Sequence, residues 1–293
     1  MNELNLSSLP LDILYLICSY LPYSSCKQVS HLSSYLFNTF KENKHFSKLL
    51  KRGLQAKVLR LVQAHGNYNN VLTFGCKTGN IDIVKYCLPY TSPSPSAATI
   101  ACMNGYLPIL EAFLTSSEFV PTLDMLWLAC ECGYAEIVQY LCTFAEISPQ
   151  AKYNEALIIA CEKDKFDVFS LLLADPRVNP GDRNDYCFRY CCKHNMLPYI
   201  DILLQDGRVN PAARDNEAFI EACLAKNIEC VYKLLAHPRV SPEARDNLAL
   251  ISCARQWNKE IVKLLWTDYR VRHQFKFCFA VADKKQVEYL LGL

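Results

Sequence analysis

The sequence predicts an all-α protein, a solenoid of stacked helical pairs preceded by a small helical module at the N-terminus. The main observation is a pair of small residues, Ala-Cys or a variant of it, that closes one helix-like stretch after another. Its second member recurs at a constant step of 31 residues, and an apolar residue of a leucine-rich segment follows eleven residues later each time. A repeat of this length is one supersecondary unit, and stacks of such units bind other molecules. The second members are Cys130, Cys161, Cys192, Cys223 and Ala254.

Each regular copy of the repeat contains two helices. It opens with Ser or Asn followed by Pro, which starts a turn and suits the first turn of a helix. An Asx residue stands five residues after the Pro, and we interpret it as a helix N-cap or as the acceptor of a turn bond. A short turn then separates the first helix from a leucine-rich second helix, and a return loop leads to the next copy. Only a neighbouring copy can cover the apolar face of the pair. The Asx residues are Asn154, Asp185, Asn216 and Asn247.

Composition limits the kind of partner. The net charge of +2 gives no electrostatic reason to expect nucleic acid or an anionic membrane. No apolar run reaches the length of about 18 residues that crosses a bilayer, and the start of the chain does not resemble a secretory signal. Many of the 16 cysteines share one repeat position, where a small apolar side chain lets helices approach, so we expect free thiols in the cytoplasm or nucleus. We expect an intracellular monomer.

Several cysteines and one histidine have a spacing that invites comparison with zinc sites and with Cys–His nucleophiles. Two of these cysteines correspond to Ala218 and Ala222 in the next copy, which indicates small core residues. Stacked helices lie about 8–10 Å apart, so thiols of successive copies form a ladder rather than a ligand set. Phosphate loops, paired carboxylates and nucleophile elbows are also missing. We therefore predict no metal, no cofactor and no enzymatic activity. The residues considered are Cys130, Cys132, Cys187, Cys191, Cys192 and His194.

Two rows of basic residues run through the repeats, one in the return loops and one three residues after the Pro. Either they tie loops together through carbonyl and carboxylate groups, or they form a basic ladder that grips an acidic segment of a partner. Asp215 and Asp246 stand beside the second row and favour the first interpretation. The first row is Arg177, Arg208, Arg239 and Arg270, and the second row is Lys152, Arg183, Arg214 and Arg245.

The second helix of the repeat carries a family signature. On this signature, residues 49–293 resemble ankyrin repeats, which implies about eight or nine units with the first and last degenerate. The chain lacks that family's Thr-Pro-Leu-His opening, and its period is about two residues shorter, which predicts a Pro-x-x-Arg-Asp-Asn turn in place of the protruding hairpin. Divergent repeats of this kind resemble those of large DNA viruses and of amoebal or fungal genomes, and a viral origin would imply the host cytoplasm. The matching phrases are Gly133-Tyr134-x-x-Ile137-Val138-x-x-Leu141 and Gly79-Asn80-Ile81-Asp82-Ile83-Val84.

The resemblance also implies where a target protein binds. In ankyrin arrays the residues just after the Ala-Cys pair face the partner. Here these residues differ in character from copy to copy, unlike the core positions, as a specific and extended binding face should. The implied target-binding residues are Glu131, Glu162, Lys163, Lys193, His194, Arg255 and Gln256.

Residues 1–48 have no copy elsewhere in the chain. A Leu-Pro pair is followed by apolar residues at the spacing of one helical stripe, and a second proline ends the stripe. This segment resembles an F-box, the helical motif by which substrate receptors dock on the adaptor subunit of SCF-type ubiquitin ligases. It departs from that family after Pro22, where the chain is about one turn shorter and no Trp follows. The implied adaptor-binding residues are Leu9, Pro10, Ile13, Leu14, Ile17, Leu21 and Pro22.

We therefore predict a substrate receptor that binds a ligase adaptor through its first segment and an unknown target protein through its repeats. The alternative is an ankyrin-like scaffold or inhibitor whose first 48 residues only cap the stack. A third hypothesis, an enzyme with a Cys–His pair, requires a hyper-reactive thiol.

Overall fold

The computed structural model describes residues 68–115, 119–275 and 281–292, and it has the predicted all-α fold of a helical repeat solenoid. Every regular element among these residues is helical. The chain divides into two compact units, Met1–Phe119 and Val120–Leu293. The segment for which the sequence predicts an F-box, residues 1–48, lies outside the described residues.

The described part of the first unit contains two helical pairs. The first helices of the two pairs contact each other, and so do the second helices. Cys76, Ala101 and Cys102 are fully buried between them, as predicted for the small residues of the repeat. The helices are α1 (Tyr68–Thr78), α2 (Ile81–Cys87), α3 (Pro95–Met103) and α4 (Leu107–Leu114).

The second unit continues the pattern and ends in two further helices. Each first helix packs against the first helix of the next pair, and the small residues of the Ala-Cys phrase are buried at this contact. Their small side chains allow the close approach, which confirms the core role predicted for these cysteines. The helices are α5 (Leu123–Cys132), α6 (Ala135–Leu141), α7 (Ala151–Glu162), α8 (Phe166–Ala174), α9 (Asp182–His194), α10 (Leu197–Gln205), α11 (Ala213–Leu224), α12 (Ile228–Leu235), α13 (Ala244–Arg255), α14 (Lys259–Trp266), α15 (Tyr269–Phe275) and α16 (Val281–Leu291).

A residue in the left-handed backbone region ends the first helix of the regular pairs. The residue after it donates its backbone N–H to the carbonyl five residues earlier, as Tyr134 does to Ala129 and Asn227 to Ala222, both at 3.0 Å. This bond is the mark of a Schellman motif, and its acceptor is the first member of the small-residue pair. The left-handed residues are Gly79, Gly105, Gly133, Asp164, Asn195, Lys226 and Trp257.

A second left-handed turn lies within the first residues of four helices, α7, α9, α11 and α13. In the third of them, Arg214, Asp215 and Asn216 have φ angles of 52°, 53° and 62°. This turn occupies the place predicted for the Pro-x-x-Arg-Asp-Asn turn, but its Asx residue does not cap its own helix. The Asn216 Oδ1 accepts a hydrogen bond from the backbone N–H of Ser241, in the next pair, at 2.8 Å. The Asx residues therefore bond successive pairs to each other, and the N-cap interpretation is wrong.

Candidate target-binding surface

The residues predicted to bind a target lie along the edge at which the first helices end. All of them are exposed, because they follow the buried small-residue pair and face away from the helix contact. They belong to the ends of α5, α7, α9 and α13 or to the residue that follows. We call this set the helix-end row, and its members are Glu131, Glu162, Lys163, Lys193, His194, Arg255 and Gln256.

Polar contacts link the helix-end row from one pair to the next. The Lys163 ammonium lies 2.6 Å from a carboxylate oxygen of Glu131. The Tyr186 hydroxyl donates to Glu162 at 2.5 Å, and this bond raises the pKa of the tyrosine to about 12. About half of the Lys163 and Glu131 side chains is exposed, so their ion pair contributes at most about 1 kcal/mol. A partner protein can replace such contacts with its own at little cost in free energy.

The same pattern continues toward the C-terminus. The Lys193 ammonium lies 3.3 Å from the Glu221 carboxylate. The Arg255 guanidinium forms two parallel bonds to the Asp283 carboxylate, at 2.9 and 2.8 Å. This fork-to-fork geometry is the strong form of an arginine–carboxylate pair, although the arginine side chain is 63% exposed.

Trp257 belongs to this edge and was missed by the sequence reasoning. Its side chain is 62% exposed, and its backbone is left-handed with φ of 57°. A bulky residue in that region is uncommon, and its ring meets the ring of Tyr289 edge-on at 5.9 Å. The signal was present in the sequence, because the corresponding residues of the preceding pairs are small or polar. These are Gly133, Asp164, Asn195 and Lys226.

The arginines of the return loops tie neighbouring loops together. The Arg208 guanidinium pairs with Asp206 at 2.6 Å and donates to the carbonyls of Val178 and Leu173 in the preceding pair, at 2.6 and 2.9 Å. The hydrogen bonds from Arg208 lower the pKa of the Asp206 carboxyl. Equivalent ion pairs and carbonyl bonds are made by Arg177 and Arg270.

The third of these four return loops is different, because His237 stands where the other loops have aspartate. Among the described residues no carboxylate lies within ion-pair distance of the exposed Arg239 side chain. Burial and the charge of Arg239 lower the pKa of His237. The loop arginines therefore act as ties wherever an aspartate precedes them.

The second basic row also bonds one pair to the next. The Arg183 guanidinium donates to the carbonyl of Lys152 at 2.8 Å and to the carboxylate of Glu155 at 2.5 Å. Arg245 donates in the same way to the carbonyl of Arg214. These contacts support the first of the two interpretations, in which the rows hold loops together.

The cysteines considered as ligands or nucleophiles are distributed through the core. Cys130, Cys187, Cys191 and Cys192 are buried, while Cys132 is half-buried. Over the described ranges, no group of three His, Cys, Asp or Glu side chains could hold a metal ion. Burial raises the pKa of the Cys130, Cys191 and Cys192 thiols, and a hydrogen bond with Cys161 together with burial raises that of Cys187, which opposes formation of a reactive thiolate. His194 instead lies against the ring of a tyrosine of its own helix, Tyr190, with centroids 4.3 Å apart.

Comparison with known families agrees with this geometry. A family model of ankyrin repeats matches the chain in three copies. Residues 98–184 are ankyrin repeats. Such repeats are generally non-enzymatic scaffolds for protein–protein interaction, and this chain carries such a scaffold. No F-box model matches the chain, and no curated protein matches it either. In the part of the chain that the structure describes, no helix is long and apolar enough to span a membrane.

Proposed function

We propose that this protein is a substrate receptor of an SCF-type ubiquitin ligase. Its first 48 residues bind the adaptor subunit, and its repeats hold a target protein. No covalent step takes place on this chain, since a separate enzyme transfers ubiquitin. The receptor acts by raising the local concentration of the target beside that enzyme. Both partners are intracellular, which fits a protein whose described cysteines are free thiols.

Target capture is supported by the helix-end row. Its positions are repeated in the fold, and its seven members are exposed side chains that are acidic, basic or polar. Trp257 adds a large exposed ring at the same edge, and tryptophan is among the residues that dominate binding energy at interfaces. The row therefore combines a fixed spacing with a composition that varies, as an extended surface for one particular protein requires.

The ligase link is carried by one observation, the Leu-Pro pair and apolar stripe directly ahead of a repeat array. The residues concerned are Leu9, Pro10, Ile13, Leu14, Ile17, Leu21 and Pro22. An apolar stripe of this kind has to be covered, either by an adaptor or by the neighbouring repeats.

A binding experiment with the purified adaptor subunit tests the link. The full chain is immobilised and compared with the double variant Leu9→Asp/Ile13→Asp and with a control, Asp12→Asn/Ser19→Ala, whose changes lie outside the stripe. We expect the adaptor to be retained by the wild type and the control but not by the double variant. Absence of retention on the wild type, or equal retention on all three, would contradict the proposal.

The alternative function is a scaffold or inhibitor that binds a protein and recruits nothing. The open apolar face that ends any repeat stack favours this reading of residues 1–48, because a terminal cap is needed there. Deleting residues 1–48 separates the two. Loss of a cap should unfold or aggregate the array, whereas loss of a docking module should leave the circular-dichroism spectrum and the melting temperature unchanged.

A further inference from the structure

The segment that begins at Asp268 departs from the return loops of the preceding copies, because it continues directly into α15. Its second residue is Tyr269, 72% exposed, whereas the same position holds Pro or Gly in the three preceding loops. Three residues further on, Arg272 replaces Asn or Ser. In the preceding copies both positions lie in an irregular loop, whereas here both belong to α15, so the two side chains stand on a helix that the earlier copies lack. The residues at the two positions in earlier copies are Pro176, Gly207 and Pro238, and Asn179, Asn210 and Ser241.

Tyr269 stands between two depressions on the surface of the second unit. One has a volume of about 380 Å³ and lies between α12 and α14, with Tyr232 and Leu264 in its wall. The other has a volume of about 630 Å³ and lies between α14, α15 and α16, with Trp266 and Phe275 in its wall. Both volumes are within the range of ligand pockets. Because Tyr269 lines both, we treat them as one groove, the C-terminal groove.

The walls of the smaller depression suit an apolar side chain. Leu235 and Leu264 supply its half-buried aliphatic surface. Tyr232 is 68% exposed and occupies a position where the neighbouring copies have Asp201 and Lys263. Tyrosine combines a large apolar ring with a hydroxyl that remains hydrated, which is why it is enriched at protein interfaces.

The larger depression adds positive charge. Arg272 and Lys284 line it together with His273, and Glu288 is the one carboxylate among the lining residues that the structure describes. The Arg272 guanidinium is held in place by bonds to the carbonyls of Trp266 and Thr267, at 2.8 and 3.1 Å. A guanidinium that is already positioned loses little side-chain freedom when it pairs with an incoming carboxylate.

Among the described residues that line the groove, the other carboxylate is already neutralised. Asp268 lies in the smaller depression and pairs with Arg270 at 2.7 Å. The hydrogen bonds from this guanidinium lower the pKa of Asp268, so the ion pair persists at neutral pH. The groove as a whole therefore favours an anionic occupant with an apolar anchor.

We propose that the C-terminal groove binds an extended peptide segment of a partner protein that carries a leucine or aromatic side chain followed by an acidic one. The apolar side chain lies between Tyr232 and Tyr269, and the acidic one pairs with Arg272 and Lys284. This inference rests on the proposed capture of a target by the repeats and gives that target a chemical signature. It places part of the contact on the return-loop side, away from the helix-end row.

Selection from a random peptide library displayed on phage, with the full-length protein immobilised, tests the proposal. Counter-selection uses Tyr269→Gly/Arg272→Asn, which installs the residues found in an earlier copy, Gly207 and Asn210. The control is Tyr153→Asp, a change to the residue at the same position in two later copies, Asp215 and Asp246, at a tyrosine that is also 72% exposed. Circular dichroism and melting temperature establish that both variants are folded. Enriched peptides are then synthesised with a fluorescent label and measured by fluorescence polarisation.

We expect enriched peptides to share an apolar residue and an acidic one. Their affinity should fall by about tenfold or more in the double variant, equivalent to about 1.4 kcal/mol, and by less than about twofold in the control. Affinity should also fall as salt is raised. The proposal is overturned if no peptide is enriched over the double variant, if the peptides bind both variants equally, or if they are basic. Adaptor retention by the double variant separates the two proposals, because it depends on the first segment alone.

Discussion

The buried Asx residues should be the largest polar contribution to the bonding between repeats, and Asn216 is the best place to measure it. Its side chain is 6% exposed, and its Oδ1 is the acceptor for the backbone N–H of Ser241. Removing the acceptor leaves a part-buried N–H group without its partner, which costs about 1–3 kcal/mol. Alanine tolerates the left-handed backbone region less well than asparagine does, and this strain adds about 1 kcal/mol to the loss of unfolding free energy. Asn216→Ala should therefore cost about 2–4 kcal/mol of unfolding free energy.

Two further variants separate these terms. Asn216→Gly removes the acceptor but accepts the left-handed backbone, so it should cost about 1–3 kcal/mol. Asp215→Ala is the matched control, because Asp215 is exposed, has φ of 53°, and belongs to the same turn. It keeps the bond between repeats and should cost only about 1 kcal/mol. Urea unfolding followed by circular dichroism measures all three. With a slope of about 2–3 kcal/mol per molar urea, the midpoint for Asn216→Ala should fall by about 1 M.

Hydrogen exchange gives an independent readout at the donor. In Asn216→Gly the Ser241 amide should exchange faster than in the wild type, while it should stay protected in Asp215→Ala. If Asn216→Gly is as stable as the wild type and the Ser241 amide keeps its protection, the bond between repeats contributes nothing and the argument fails. Equal destabilisation by Asn216→Ala and Asp215→Ala would likewise assign the whole effect to backbone conformation.

Two more predictions concern the loop ties and the thiols. Arg208→Ala removes two carbonyl bonds and an ion pair and should cost about 2 kcal/mol, whereas Arg239→Ala, without an ion pair of its own, should cost less than about 0.5 kcal/mol. The Asp206 carboxyl has a lowered pKa in the folded state, so the stability that its ion pair with Arg208 adds is present at neutral pH and is lost as the pH falls through that lowered value. Urea midpoints of the wild type and Arg208→Ala, compared at neutral and at acid pH, measure this loss. A stability difference between the two proteins that does not shrink in acid contradicts it. Among the described cysteines, Cys132 and Cys142 are half-buried and should react first with a thiol reagent at mildly alkaline pH, while buried thiols such as Cys76, whose pKa is raised to about 12, should react only after unfolding. Peptide mapping by mass spectrometry gives the order, and early modification of Cys76 in the folded protein would be the contrary result.

The helical pairs could be predicted because their cause is local and periodic. The Ala-Cys phrase marks a place where two helices must approach, and it also supplies the acceptor of the Schellman bond that ends the helix. Both demands restrict the residue type, so the same small residues return in each copy. The core role of the cysteines was predicted on the same ground, since alanine replaces Cys187 and Cys191 in the next copy.

The role of the Asx residues could not be predicted, because their partner lies in another copy. A recurring Asn after a Pro-containing turn fits a helix N-cap equally well from the sequence. Three successive left-handed residues are rare outside glycine, so no propensity scale indicates them. The left-handed turn is held by the hydrogen bond that the Ser241 N–H donates to the Asn216 Oδ1, and this bond forms only when two pairs are stacked. The ion pairs of the helix-end row could not be predicted for the same reason, since they also join different copies.

The periodicity is most informative at the positions where the repeat is broken. Each copy must satisfy the same packing and the same turns, so the other copies show what folding alone demands at any position. Measured in this way, Trp257 stands out, since glycine or a polar residue fills the same turn in the preceding pairs. Tyr269 differs as well, because it opens α15 where the preceding copies have proline or glycine in a loop. Both rings are largely exposed, and the tryptophan also occupies a left-handed backbone that disfavours it. A side chain that its turn neither needs nor favours, and that stays largely exposed to water, is best explained by a partner that covers it.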